Sequence, residues 1–78
     1  MNKQDKLKER LSHFLPKFIE DSELLLTVPN RVTVGAKPTA VSDTLRNLIY
    51  DKFSKNLELL SFEIKEHDSI YKYKIIQT

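Results

Sequence analysis

The chain has no cysteine, only one glycine, no long apolar run and little net charge. Each shortage removes a class of function. Without cysteine there are no disulfide frameworks, thiolate metal ligands or cysteine nucleophiles, and a reducing compartment is permitted. Gly35 alone cannot build the phosphate-cradling loops of nucleotide enzymes, which need several glycines for close backbone approach. The serines are scattered, with no glycine elbow to sharpen one into a nucleophile. No apolar run approaches the ~20 residues of a membrane span. The opening MNKQDKLKERLSHFL interleaves charged and apolar residues, so it lacks the continuous apolar core of a signal peptide and a cytoplasmic location is expected. A net charge of +2 is small for a dedicated nucleic-acid binder of this size.

What is present suits a soluble globular unit. Hydrophobic residues make up 40% and charged residues 31%, too apolar for a disordered tail. At 78 residues there is room for a single domain spanning 1–78.

Thr39 to Asn56 is the most regular stretch. Val41, Leu45, Leu48, Ile49 and Phe53 recur at the ~3.6-residue spacing of a helix. Thr39 or Ser42 can cap its start, and Asn56 can close it in a left-handed conformation. Lys52 falls within the apolar stripe, which places the last turn at the rim of a core. An earlier helix begins near Asn2, the candidate cap, with Asp5 in its opening turn. Leu7, Leu11, Phe14, Leu15 and Phe18 continue its stripe, and Pro16 kinks it or restarts it.

Leu24–Val28 and Arg31–Val34 are β-prone runs on either side of Pro29-Asn30, which requires a wider turn than the tightest hairpin. Leu57–Lys65 and Ser69–Ile76 form a clearer hairpin across His67-Asp68. With Glu66 opposite Ser69, Ile64 faces Tyr71, Phe62 faces Tyr73 and Leu60 faces Ile75, while Glu63 meets Lys72 and Ser61 meets Lys74. A one-residue slip would bury lysine against Phe62. The expected fold is therefore α+β: a two-layer sandwich in αββαββ order, two helices on one face of a four-stranded, mostly antiparallel sheet. A shift of 34 residues lays Leu7, Leu11, Phe14 and Leu15 over Val41, Leu45, Leu48 and Ile49, and Leu25-Leu26 over Leu59-Leu60. This is a helix-hairpin repeat or two similar amphipathic helices, each followed by a strand.

Few side chains suggest chemistry. His13 and His67 lack metal-ligand spacing, and Glu66 and Asp68 beside His67 are ordinary turn residues. No metal, cofactor or small-molecule substrate is expected, and no catalytic group is identified, so the chain reads as a non-enzyme. Lys3, Lys6, Arg10, His13 and Lys17 form a basic row along the first helix, a solvated face or a contact for phosphate. In Ile70-Tyr71-Lys72-Tyr73-Lys74, strand alternation sends the tyrosines and lysines to opposite faces, which undercuts a base-stacking platform. The tyrosines then fill core, with their hydroxyls at its rim. The uncovered sheet face would carry Leu25, Leu57, Leu59, Ile70 and Ile76 with Lys72 and Lys74, more apolar surface than an open face needs.

Leu26-Thr27-Val28-Pro29-Asn30, the later helix and Leu60-Ser61-Phe62-Glu63-Ile64 resemble the strand, Pro-Asn turn and helix of bacterial replication-initiator N-terminal domains, which are protein-docking modules. The resemblance covers under half of the chain. Arg31 to Thr39 intervene where that family enters its helix directly, so no site is carried over. The functional expectation is a small protein-interaction or regulatory module, with self-association through the open sheet face as one form. Nucleic-acid binding through Lys6, Arg10, His13 and Lys17, as in a winged helix, is the alternative, although Arg31–Val34 reads as strand where a winged helix needs another helix.

Overall fold

The computed structural model describes residues 3–14, 16–20 and 22–76. Two of the sequence expectations, the Asn2 cap and the core position of Leu15, lie outside them. Helix α1 spans Lys3–Leu11 and is followed by strands β1 (Lys17–Ile19) and β2 (Glu23–Pro29). A turn of 3₁₀ helix, Asn30–Val32, leads to α2 (Pro38–Phe53), β3 (Asn56–Ile64) and β4 (Asp68–Ile76). The class is α+β: two helices and an open, antiparallel four-stranded sheet ordered β1-β2-β4-β3.

The first helix is shorter than its apolar stripe suggests. Pro16 has no N–H to donate to the carbonyl four residues back, so a helix cannot run through it unbroken. The Ser12 hydroxyl turns back to the Glu9 carbonyl at 2.6 Å, and the Phe14 N–H donates to the Leu11 carbonyl at 3.1 Å. Lys17, Phe18 and Ile19 become a strand instead, paired with Leu25, Leu24 and Glu23.

Arg31–Val34 is not a strand. Asn30 captures the backbone first: its N–H donates to the His67 carbonyl at 2.8 Å, and its side-chain amide donates to the Lys65 carbonyl at 2.7 Å. The Ser69 hydroxyl in turn donates to Asn30 Oδ1 at 2.5 Å. These bonds fasten the end of β2 to the distant β3–β4 turn, and the chain leaves the sheet through the 3₁₀ turn. The neighbours of β2 are therefore β1 and β4. The expected αββαββ order is not quite matched: a 3₁₀ turn stands between β2 and α2, and different segments fill the first two strand positions.

In α2, Pro38 occupies the first helical position, where its missing N–H costs nothing, and Lys37 is the cap residue rather than Thr39 or Ser42. At the other end Ser54, at φ 57°, takes the left-handed role expected of Asn56, and its N–H donates to the Tyr50 carbonyl at 2.8 Å. Phe53 stands at the rim of the core against Phe18, edge to face at 5.2 Å.

The final hairpin is two residues out of the expected register. Phe62 pairs with Tyr71 and Ile64 with Ser69, and a bulge between Leu59 and Ser61 then brings Leu59 opposite Tyr73 and Leu57 opposite Ile75. A two-residue slide leaves every side chain on its original face, so hydrophobic alternation cannot detect it. The bulge does change faces. Leu57 and Leu59, expected on the open face, turn inward: Leu57 is buried and Leu59 packs against the core.

That core is one cluster. Leu24, Leu26 and Val28 of β2, Tyr71, Tyr73 and Ile75 of β4, and Leu57 of β3 meet Leu11 of α1 and Val41, Leu45 and Ile49 of α2. The Tyr73 hydroxyl does not reach the rim as expected. It donates to the Ser42 carbonyl at 2.9 Å and lies 3.1 Å from the Ser42 hydroxyl, both buried. Burial pushes its pKa up to about 12.

Candidate docking surface

The two edges of the sheet are unequal. β1 covers three residues, whereas β3 runs for nine with β4 on one side only. The Lys65 N–H donates to the Asp68 carbonyl at 2.8 Å, closing the turn, so by antiparallel alternation Glu63 and Ser61 also direct their backbone groups to β4. Phe62 and Ile64 therefore direct theirs outward, away from the sheet. Leu60 (46%), Phe62 (42%) and Ile64 (59%) are exposed along this edge, even though Tyr71 and Ser69, opposite Phe62 and Ile64, are buried. Phe62 stacks on Tyr71 at 5.9 Å between ring centres, which holds it against the sheet.

The other sheet face is less apolar than its sequence suggests. Leu25, Ile70, Lys72, Lys74 and Ile76 lie there in alternate positions, opposite the buried rows of β2 and β4. Charges interrupt the apolar residues. Lys72 pairs with Glu23 at 3.3 Å, and Lys74 lies between Glu23 and Glu58 in the ladder. With Leu57 and Leu59 removed to the core, Leu25, Ile70 and Ile76 remain as separated apolar positions.

The basic row survives in part. Lys6, Arg10 and His13 border one shallow depression with Glu9. Lys17 leaves the row because α1 ends before it, and it sits on β1 opposite Leu25. Lys6 and Arg10 also reach a groove of about 390 Å³ between α1 and the start of α2, where Lys37 joins them over Leu7, Val32 and Ala36. Among the described residues, none of these three cations forms an ion pair. His67 lies in the β3–β4 turn, 4.0 Å from Glu66, with both side chains in solvent. Among the described residues, no three histidine, aspartate or glutamate side chains converge as metal ligands, and no helix is long and apolar enough to cross a membrane.

Sequence reasoning missed Leu60, Phe62 and Ile64 as surface residues because the expected register assigned them to the core. The missing signal was strand order: β3 lies at the edge of the sheet with a neighbour on one side only, which alternation along a strand does not reveal. No protein-family model, curated protein or solved structure matches the chain.

Proposed function

We propose that this chain is a small, non-enzymatic protein-interaction module that docks its partner along the free edge of β3. Both helices form one layer over the sheet in this reading, a two-layer sandwich whose far edge is left for binding. The observation that carries it is the coincidence of outward backbone groups at Phe62 and Ile64 with the exposed apolar side chains of Leu60, Phe62 and Ile64. A strand added there gains main-chain hydrogen bonds and apolar burial together. Leu25, Ile70, Lys72, Lys74 and Ile76 on the open face act as the flanking surface, and their mixed charges keep that face soluble. The cytoplasmic location expected from the interleaved charges of the first fifteen residues belongs to the same proposal.

Photo-crosslinking residues placed at Phe62, Ile64, Thr27 and Lys6, with the chain at its native level in its own cells, test the reading. Discrete adducts are expected from positions 62 and 64 and not from 27 or 6. Adducts from 27 alone would move docking to the open face, and none from any sheet position would overturn the proposal.

The convergence of Lys6, Arg10 and Lys37 favours a second reading, nucleic-acid binding by the α1 groove, with His13 at its margin. Binding of duplex or single strands should weaken steeply with salt, because each neutralised phosphate releases counterions. Absence of binding at low salt would remove it.

A further inference from the structure

We infer that the occupant of the β3 edge is a second copy of this chain, paired antiparallel about a two-fold axis through Phe62, so that two sheets join into one. This inference rests on the docking reading and specifies its partner. The sequence of the edge is self-complementary in one register. With Phe62 opposite its own copy, Ser61 falls opposite Glu63 of the second copy and Leu60 opposite Ile64 of the second copy. The apolar positions meet apolar ones, and a hydroxyl donor meets a carboxylate. Phe62 and Ile64 already direct their N–H and C=O groups outward, so the pair at the axis exchanges both hydrogen bonds without any rearrangement of the β3–β4 ladder.

The nearest competing register is excluded by charge. Pairing Phe62 with Ile64 of the second copy also joins outward-facing residues, but it sets Glu63 directly against its own copy, a like-charge contact that destabilises a strand pair. Moving further toward the turn leaves Phe62 opposite Glu66, where β3 has ended at Ile64. Moving the other way would put Ile64 opposite Glu58 and carry the pairing past Leu60 through the whole bulge, where the regular ladder stops, whereas the proposed register ends at Leu60 on its margin. The bulge and Glu63 thus bound the free edge on either side of Phe62 and restrict it to a short, specific contact instead of open-ended aggregation. At the other edge β1 is too short to compete, and Ile19, its last residue, leads straight into a turn at Glu20, φ 53°.

The absence of native cysteine makes the register directly measurable. In the proposed pair Ser61 and Glu63 of opposite copies form the non-hydrogen-bonded site, with Cα atoms ~4.5 Å apart, inside the range a disulfide spans. Two variants, Ser61→Cys and Glu63→Cys, are mixed and oxidised, and the products are separated by mass without reductant. A mixed S61C–E63C dimer well above the statistical share supports the proposal. An excess of E63C paired with itself overturns the register, and no crosslink together with a monomer mass at all concentrations overturns self-association. The unmodified chain should sediment as twice the chain mass at high concentration and as one chain on dilution. Phe62→Lys should abolish the heavier species while leaving the unfolding temperature of the dilute chain nearly unchanged. If the edge photo-adducts described above carry a different protein and the chain alone stays monomeric, the docking reading stands and the second copy is excluded.

Discussion

The two halves of the molecule share a plan and differ in length. Each is a helix followed by a hairpin: α1 with β1 and β2, then α2 with β3 and β4. In each half the second strand lies inside the sheet and the first at an edge. The helices correspond at the 34-residue offset, Leu11 matching Leu45 as buried core. The hairpins do not. That offset lays Leu26 of β2 on Leu60 of β3, whereas by position in the sheet β2 corresponds to β4. The difference teaches where the free surface comes from: the first half has an outer strand of three residues, and the second has an outer strand of nine whose free side carries exposed apolar residues.

The largest expected contrast sets an inner strand against that outer one. Leu24→Ala opens a cavity at a fully buried site and should cost about 2–5 kcal/mol, whereas Ile64→Ala at the exposed edge should cost less than about 1 kcal/mol in the dilute chain. Chemical denaturation of both variants checks this, and equal losses would mean that the edge of β3 is packed.

The core hydrogen bond comes next. Tyr73→Phe leaves the buried Ser42 carbonyl and hydroxyl without their partner and should cost about 1–3 kcal/mol, whereas Tyr50→Phe, on the exposed side of α2, should be neutral. The pH dependence has a definite sign. Burial raises the Tyr73 pKa in the folded state to about 12 from 10.0, so the folded chain holds that proton more tightly. The stabilisation is complete below pH 10.0 and is lost as the pH rises toward about 12. Thermal melts across that range should show the loss in the native chain and a smaller loss in Tyr73→Phe. Tyr71 shifts in the same direction and accounts for part of what remains.

Asn30→Ala should cost about 1–2 kcal/mol by releasing the β3–β4 turn from the end of β2. Hydrogen exchange should quicken at the Asn30 amide and in the turn before the rest of the sheet. A uniform change would mean that Asn30 does not act as a local fastener.

The smallest effect compares the ends of elements. Ser54→Gly removes the side-chain strain of a left-handed residue and should stabilise the chain by up to about 1 kcal/mol, while Asp51→Ala, which breaks the exposed Lys8–Asp51 pair, should change stability by less than that. Melting temperatures of the two variants decide the order.

The parts of this fold legible in the sequence are those governed by periodicity. The α2 stripe, the inward tyrosines and the β-prone run at Leu24–Val28 all follow from spacing, and the α+β class follows from them. Three features escaped for separate reasons. Asn30 diverted Arg31–Val34 through bonds to residues more than thirty positions away, which no local window contains. Pro16 marked a break, but whether Phe18 resumed a helix or entered a sheet depended on Leu24 being available to pair with it. The hairpin register slid by two residues, a displacement to which alternation is blind, and a bulge then reversed Leu57 and Leu59. The candidate surface suffered most from the last of these. Leu25, Ile70, Lys72, Lys74 and Ile76 alternate with the buried rows of β2 and β4, whereas Leu57 and Leu59 turned inward and the exposed apolar row lay among residues assigned to the core.

Amide hydrogen exchange along Ser61–Ile64, measured in dilute and concentrated samples, tests the central claim most directly. The account predicts alternation in dilute solution, with Ser61 and Glu63 protected by β4 and Phe62 and Ile64 exchanging freely, and protection appearing at Phe62 and Ile64 as concentration rises. Uniform protection of all four amides in the dilute chain would contradict it, because β3 would then not be a free edge.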